Sequence, residues 1–327
     1  MTTLREIMVR RRVVLGAGLG IAGALTGTVA AVLGGRSDED PASAAAPAEL
    51  RVATGPPGAV YRQLGGPLVA LLAARFPRSR VMEIQTDGTV DNLTLLSAGG
   101  AELAFAHLDA TVGGLAAGRP RDVTAVARLY DAWMQVIVLE SSPVRRFADL
   151  DGRAVTAGGA GSGTHFASGR LIDVAGIRPR IVDAVQADGA GLLATGRVDA
   201  WMTLTGIPTP AVTRLVRDHA VRMIPLAEYA ETMTKRYGDI YAPATVPPSV
   251  YRGIADIETV TTPNVLLARP DLAASVIEEV TRTLFAKRAQ IAQGHSGAIG
   301  INVRTAIATA PLRLHPGAVS YFRSSKT

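Results

Sequence analysis

RAVTAGGAGSGTHFASGRLIDVAGIRPRIVDAVQADGAGLLATGRVDAWMTL, residues 153–204, decides the fold class. It reads as strand (RAVTAGG), glycine loop, helix (GSGTHFASGRLIDVAG), strand (RIVDAVQA), helix (GAGLLATG) and strand (RVDAWMTL). Strands alternating with helices predict a parallel α/β sheet. The same order opens the chain after residue 48. ELRVATG (49–55) is a strand running into GPPG. VYRQLGGPLVALLAARF (60–76) places Val60, Leu64, Leu68, Leu71 and Leu72 on one helical face. Pro67 either kinks that helix or marks its true start. RVMEIQT (80–86) and ELAFAHL (102–108) are further strands around a turn and helix, DGTVDNLTLLSAGG. VTAVARLY and MQVIVLE, within 123–140, are β-rich runs. Residues 240–271 are proline-rich with short β runs, 271–293 form a helix, and the tail from Leu312 is loop-like with a small helix.

LLSAGGAELAF (95–105) aligns without gaps to LLATGRVDAWM (192–202). Gly99 matches Gly196 and Glu102 matches Asp199. The echo suggests two similar α/β lobes, although any helix–glycine–strand corner has this form.

Bulk composition narrows the function. The chain has 327 residues, 48% hydrophobic and 19% charged, with no cysteine. That is a globular chain long enough for two domains. Disulfides, thiolate metal sites and a cysteine nucleophile are excluded. The net charge is +6, but basic residues are scattered, with no basic run after residue 12. Nucleic acid is therefore not expected as a partner, and a mildly basic surface favours anionic ligands. The five histidines, His107, His165, His219, His295 and His315, are too widely spaced for a helical metal pair. Neither a metal nor a cofactor is expected.

Residues 1–47 read as a signal peptide or membrane anchor followed by a linker. Arg10, Arg11 and Arg12 precede the uncharged apolar stretch 13–33, and an Ala-rich segment follows. The paired arginines resemble a twin-arginine signal. The stretch is also long enough to span a bilayer uncleaved. The remainder is expected outside the cytoplasmic membrane.

The glycine loop fails three catalytic patterns. Gly163 is followed by Thr164 and His165, not Lys and Ser/Thr, so it is no Walker A. Counting from Gly161, the sixth position is Phe166, so it is no dinucleotide fingerprint. Ala160 and Thr164 flank Ser162 where a nucleophile elbow needs glycines. What remains is GSGT before a helix, either an N-cap alone or an anion site of carboxylate size.

Six motifs taken in order carry a resemblance. They are ATGPPGAVYRQLGGPLVALL (53–72), TDGTVDNLTLLSAGGAELAFAHLDA (86–110), FADLDGRAVTAGGAGSGT (147–164), GRVDAWMTLTGIPTPAV (196–212), YAPATVPPSVYRG (241–253) and LRLHPGAVSYF (312–322). Together the chain resembles the TAXI family, the TRAP-associated extracytoplasmic immunogenic solute receptors. The resemblance implies a type II periplasmic-binding-protein fold, with two α/β lobes closing on a small organic anion. It implies TRAP permease subunits as partners and a glutamate-like or other carboxylate ligand, an amino acid or a dicarboxylate. The lobes are expected at 48–130 with 250–327, and at 131–249, in a monomer. Two departures from the family stand out: Pro56 and Pro57 stiffen the first loop, and His107 stands where a glutamine is common.

Ligands in such lobes sit beyond the carboxyl ends of strands. The candidate ligand-binding residues are Thr54, Gly55, Gly58, Tyr61, Thr86, Gly88, Thr89, Asn92, His107, Ser162, Gly163, Thr164, Trp201 and Thr205. Tyr61 is a donor or a packed helix residue. His107 is a pH-sensitive donor or a strand-end filler. Trp201 stacks on the ligand or fills the core. Asp87 is expected to form a turn. A receptor feeding an ABC importer or a sensor, and a secreted hydrolase using Ser162, are the competing readings.

Overall fold

The computed structural model describes residues 40–112 and 123–325. Most of the signal or anchor segment expected at 1–47 lies outside these residues. Among the described residues, no helix is long and apolar enough to cross a membrane.

In chain order the elements begin with α1 (Pro41–Ala45), β1 (Glu49–Ala53), α2 (Val60–Arg75), β2 (Arg80–Ile84), α3 (Thr89–Ser97) and β3 (Leu103–His107). A 3₁₀ turn, Leu108–Thr111, follows, and then β4 (Thr124–Leu139) and β5 (Ala154–Thr156). Next come α4 (Gly163–Ala175), β6 (Arg180–Ile181), α5 (Gln186–Ala194), β7 (Ala200–Thr205) and α6 (Pro210–Asp218). The chain continues through β8 (Val221–Met223), α7 (Ala227–Tyr237), β9 (Ala242–Val246) and β10 (Ile257–Ala268). It closes with α8 (Ala274–Ala286), α9 (Arg288–Ile291), α10 (Val303–Ala306) and α11 (Pro316–Ser324).

One mixed sheet joins everything in the order β2-β1-β3-β10-β4-β7-β5-β6, with β8 on β4 and β9 on β10. Its ends are parallel blocks: β2, β1 and β3 on one side, β7, β5 and β6 on the other. The long strands β4 and β10 run antiparallel between them. The two β-rich runs of 123–140 are thus one strand of 16 residues.

Three apolar clusters form the core. On the β1–β3 side, Leu64, Leu68, Leu72 and Phe76 from and after α2 pack with Val276, Val280 and Leu284 of α8 and Phe322 of α11. The helix starts at Val60 and carries Pro67 inside it, so Pro67 does not mark its start. Gly65 sets how closely α2 lies on β1: a Cβ there would stand 2.3 Å from the Thr54 Cγ2 methyl. Gly65→Val is expected to lower stability by about 1–3 kcal/mol through overpacking. An unchanged urea midpoint would show that α2 shifts at no cost.

The repeated corner has a common physical device. Gly99 and Gly196 both take positive φ, 72° and 67°, where glycine is favoured. Glu102 then accepts the Arg51 amide at 2.8 Å, and Asp199 accepts the Ala154 amide at 2.9 Å. In each block the acid that precedes one strand holds a backbone amide of its parallel neighbour, mid-strand in β1 and at the start of β5.

Two strand expectations change. RIVDAVQA pairs only through Arg180 and Ile181, because it lies at the sheet edge with β5 as its one partner. The segment then leaves the sheet and enters α5. Conversely, the proline-rich region holds a central strand of 12 residues, β10. Its register with β4 shifts between Pro263 and Val265, which accommodates a residue with no amide to donate.

Candidate functional site

The carboxyl ends of β1, β2 and β3 are tied together by buried polar groups. Thr54 donates its hydroxyl to Glu83 at 2.8 Å. Asn92 donates its amide to the carbonyls of Thr54 and Phe105 at 2.6 and 2.7 Å. Thr86 donates to the Asn92 side-chain oxygen at 2.6 Å and accepts the Gly88 amide. Thr54, Thr86 and Asn92 are therefore the floor that positions the site. They do not line it.

The site itself is a pocket between the two parallel blocks. One wall carries Pro56, Ala59, Val60, Tyr61, Asp87, Gly88, Thr89 and His107; the other carries Ser162, Gly163, Thr164, Leu204 and Thr205. Its volume is ≈ 30 Å³. A water needs about 10–15 Å³ on that measure, so the pocket has room for about two. The walls touch beside it: the amides of Val90 and Asp91 donate to the Gly161 carbonyl at 3.0 and 3.2 Å.

Three helices begin at this pocket: α2 at Val60, α3 at Thr89 and α4 at Gly163. Their first amides have no intrahelical acceptor and carry the positive ends of helix dipoles, although in α3 those of Val90 and Asp91 are already taken by the Gly161 carbonyl. Ser162 caps α4, its Oγ accepting the His165 amide at 3.1 Å. Thr164 Oγ1 accepts the Leu204 amide at 3.1 Å and fixes α4 to β7. Tyr61 donates its hydroxyl to Asn264 Oδ1 at 2.6 Å and lies 3.3 Å from Thr89 Oγ1. Burial pushes the Tyr61 hydroxyl well above its ordinary pKa, so it stays protonated.

His107 is 5% exposed and its Nδ1 is buried with no hydrogen-bond partner among the described residues. Burial lowers its pKa to about 3, so the ring is neutral at physiological pH. It packs against the Tyr61 ring, with centroids 5.6 Å apart. Gly163 permits this approach, since a Cβ there would stand 2.3 Å from His107 Nδ1.

Of the residues expected at the site, the structure brings together Tyr61, Gly88, Thr89, His107, Ser162, Gly163, Thr164 and Thr205. Gly55 is buried in the first loop behind Tyr61. Gly58 lines a neighbouring chamber instead. Trp201, named as a candidate ligand residue, takes the second of its two readings and fills the core: it is 1% exposed beside Leu193 and Val212, its indole packed over Gly189. Asp87 does more than form a turn, because it also lines the pocket. The sequence reading did not include Pro56, Ala59, Val60 and Leu204, nor Asn264 behind Tyr61. The first three sit in the quoted ATGPPGAVY motif, which gave the only available signal.

A profile of the NMT1-like family matches residues 52–325, most of the 327-residue chain. The chain belongs to the NMT1-like family. This NMT1-like chain is also similar to solved structures. MatC from Rhodopseudomonas palustris with bound malate is 15% identical, with 86% of this chain and 97% of that one covered and a TM-score of 0.53. The periplasmic binding protein BugD is 14% identical over 85% and 94% of the two chains, with a TM-score of 0.51. XAC2383 from Xanthomonas citri, bound to ATP, is 12% identical over 85% and 95%, with a TM-score of 0.51. At such identities the likeness shows the fold: the two-lobe α/β architecture of periplasmic solute-binding proteins.

Proposed function

We propose that this NMT1-like protein is an extracytoplasmic solute-binding receptor of the TAXI kind that captures a small carboxylate. The lobes of this reading are 48–130 with 250–327, and 131–249. The observation that carries it is the convergence of three helix N-termini from both lobes on one hydroxyl-lined pocket. Such ends hold a carboxylate through amides and dipoles without a cation. A ligand bridging both walls favours the closed arrangement over the open one, because only closure completes its contacts. TRAP-type membrane subunits are the partners this reading assigns.

The test is direct. Small carboxylates should raise the melting temperature of the purified protein, and native mass spectrometry should show one bound per chain. Stabilisation by neutral sugars, with none by acids, would sink the reading.

Ser162 separates receptor from hydrolase. Its hydroxyl caps α4, so Ser162→Ala should cost about 1 kcal/mol of stability and weaken carboxylate binding. Ester turnover by the wild type that vanishes in Ser162→Ala would favour the hydrolase instead.

A further inference from the structure

The carboxylate pocket opens beside a second chamber that nothing above assigns. The two share Pro56 and Ala59, so both border the same loop. The second chamber is larger, ≈ 70 Å³ against ≈ 30 Å³. Pro56, Pro57 and Ala59 from one wall face Ala211 from the other. Prolines have no amide to donate, and these side chains are apolar, so the walls suit methylene groups.

Two polar side chains line the chamber, Thr209 and Arg214. Thr209 is committed. Its amide donates to the Tyr251 hydroxyl at 2.8 Å, and its own hydroxyl donates to the Gly206 carbonyl and accepts from Gln135. Arg214 stands in α6, exposed, and makes no hydrogen bond or ion pair among the described residues. One turn later Arg217 is clamped by Asp218 at 2.8 Å. Among the described residues, the carboxylate pocket by contrast is lined by no lysine or arginine, and Asp87 there is acidic. A second negative group on the ligand finds no cation in the pocket and finds one in the chamber.

We infer that Arg214 and the apolar chamber beside it form a second subsite, which holds the distal acid of a dicarboxylate whose first acid lies at the helix N-termini. This rests on the carboxylate reading of the main pocket. The spacer lies against Pro56, Pro57 and Ala211, and the guanidinium pairs with the far carboxylate in the fork geometry arginine favours. Selectivity for length then comes from the stiff proline loop, and selectivity for the second charge comes from Arg214.

Calorimetric titration of the full chain tests it, with succinate, glutarate and adipate set against butyrate, valerate and hexanoate. The wild type should bind at least one dicarboxylate tenfold or more tighter than the monocarboxylate of equal length. Arg214→Gln should remove that preference and leave the monocarboxylates unchanged. Arg217→Gln, on the same helix, should keep it. Retention of the preference in Arg214→Gln overturns the subsite, as does a wild type that binds both classes equally. A wild type that binds neither class overturns the carboxylate reading itself and the subsite with it.

Discussion

Gly163→Ala is expected to lower the affinity for the best carboxylate ligand by a hundredfold or more, about 2.7 kcal/mol. The added Cβ would stand 2.3 Å from His107 Nδ1, 2.8 Å from its Cε1 and 2.6 Å from Thr89 Oγ1. Ordinary carbon contacts are about 3.5–4.0 Å. Neither neighbour is free to retreat. His107 ends a central strand, and Thr89 opens α3 with its Oγ1 accepting the His107 amide at 3.1 Å. The start of α4 must therefore back away by about 1 Å to restore contact distance. That movement breaks the bonds from Val90 and Asp91 to Gly161, which join the walls. The lobes should still fold, since the clash lies between them. Circular dichroism should stay native, while small-angle scattering should show no compaction on adding ligand. Gly169→Ala is the control: it lies on the same helix, with nothing within 4 Å of the added Cβ. Wild-type affinity in Gly163→Ala would mean that binding does not use this closed arrangement.

The architecture was legible where it rests on local pattern. The alternation in 153–204 and the paired corners at Gly99 and Gly196 are set by neighbours in sequence, and both lead to the two parallel blocks. The strands that link the blocks were less legible. β10 carries Pro263, which argues against a central strand until the shifted register with β4 is seen. RIVDAVQA has the composition of a strand, but strand length depends on partners, and the edge position leaves it one.

The site was legible where a glycine or hydroxyl precedes a helix, because amide exposure there follows from helix geometry. Trp201 shows the limit. It shares strand parity with Thr205 but lies four residues earlier, roughly 13 Å further back at the rise of a strand. Proximity in sequence to a strand end was not proximity to the cleft. Asp87 was expected only to form a turn, yet that same turn into α3 places it on the pocket wall. Arg214 carried no signal at all, since an exposed helical arginine becomes notable only when a loop 150 residues away is seen beside it.

The pH dependence of stability should be dominated by two buried groups of opposite sign, two residues apart, with smaller contributions of the same sign as His107 from His295 and His315. His107 is held neutral, its pKa lowered from 6.5 to about 3 by burial. The folded state therefore binds this proton less readily than the unfolded chain. Its contribution is intact above pH 6.5 and is lost as pH falls toward 3. At pH 4.5 two units of that window have been crossed, about 3 kcal/mol. Asp109 is the reverse. Burial raises its pKa from 3.8 to about 6, opposed by the Tyr241 hydroxyl at 2.6 Å and by Arg170. The folded state binds this proton more readily, so stability is present below 3.8 and lost as pH rises through 6. That difference of about two units is worth about 3 kcal/mol above pH 6. The wild type should thus show a shallow profile between pH 4.5 and 7.5, because the two slopes offset each other. His107→Gln should expose the Asp109 slope, giving a variant more stable at pH 4.5 than at 7.5. Asp109→Asn should expose the His107 slope, with a gain near pH 7.5 that disappears by pH 4.5. Urea midpoints at pH 4.5, 5.5, 6.5 and 7.5 decide it. Curves for the two variants that run parallel to the wild type would place the titrating groups elsewhere. Curves that tilt in opposite directions would show that the chain offsets a buried base in the pocket wall with a buried acid two residues beyond it.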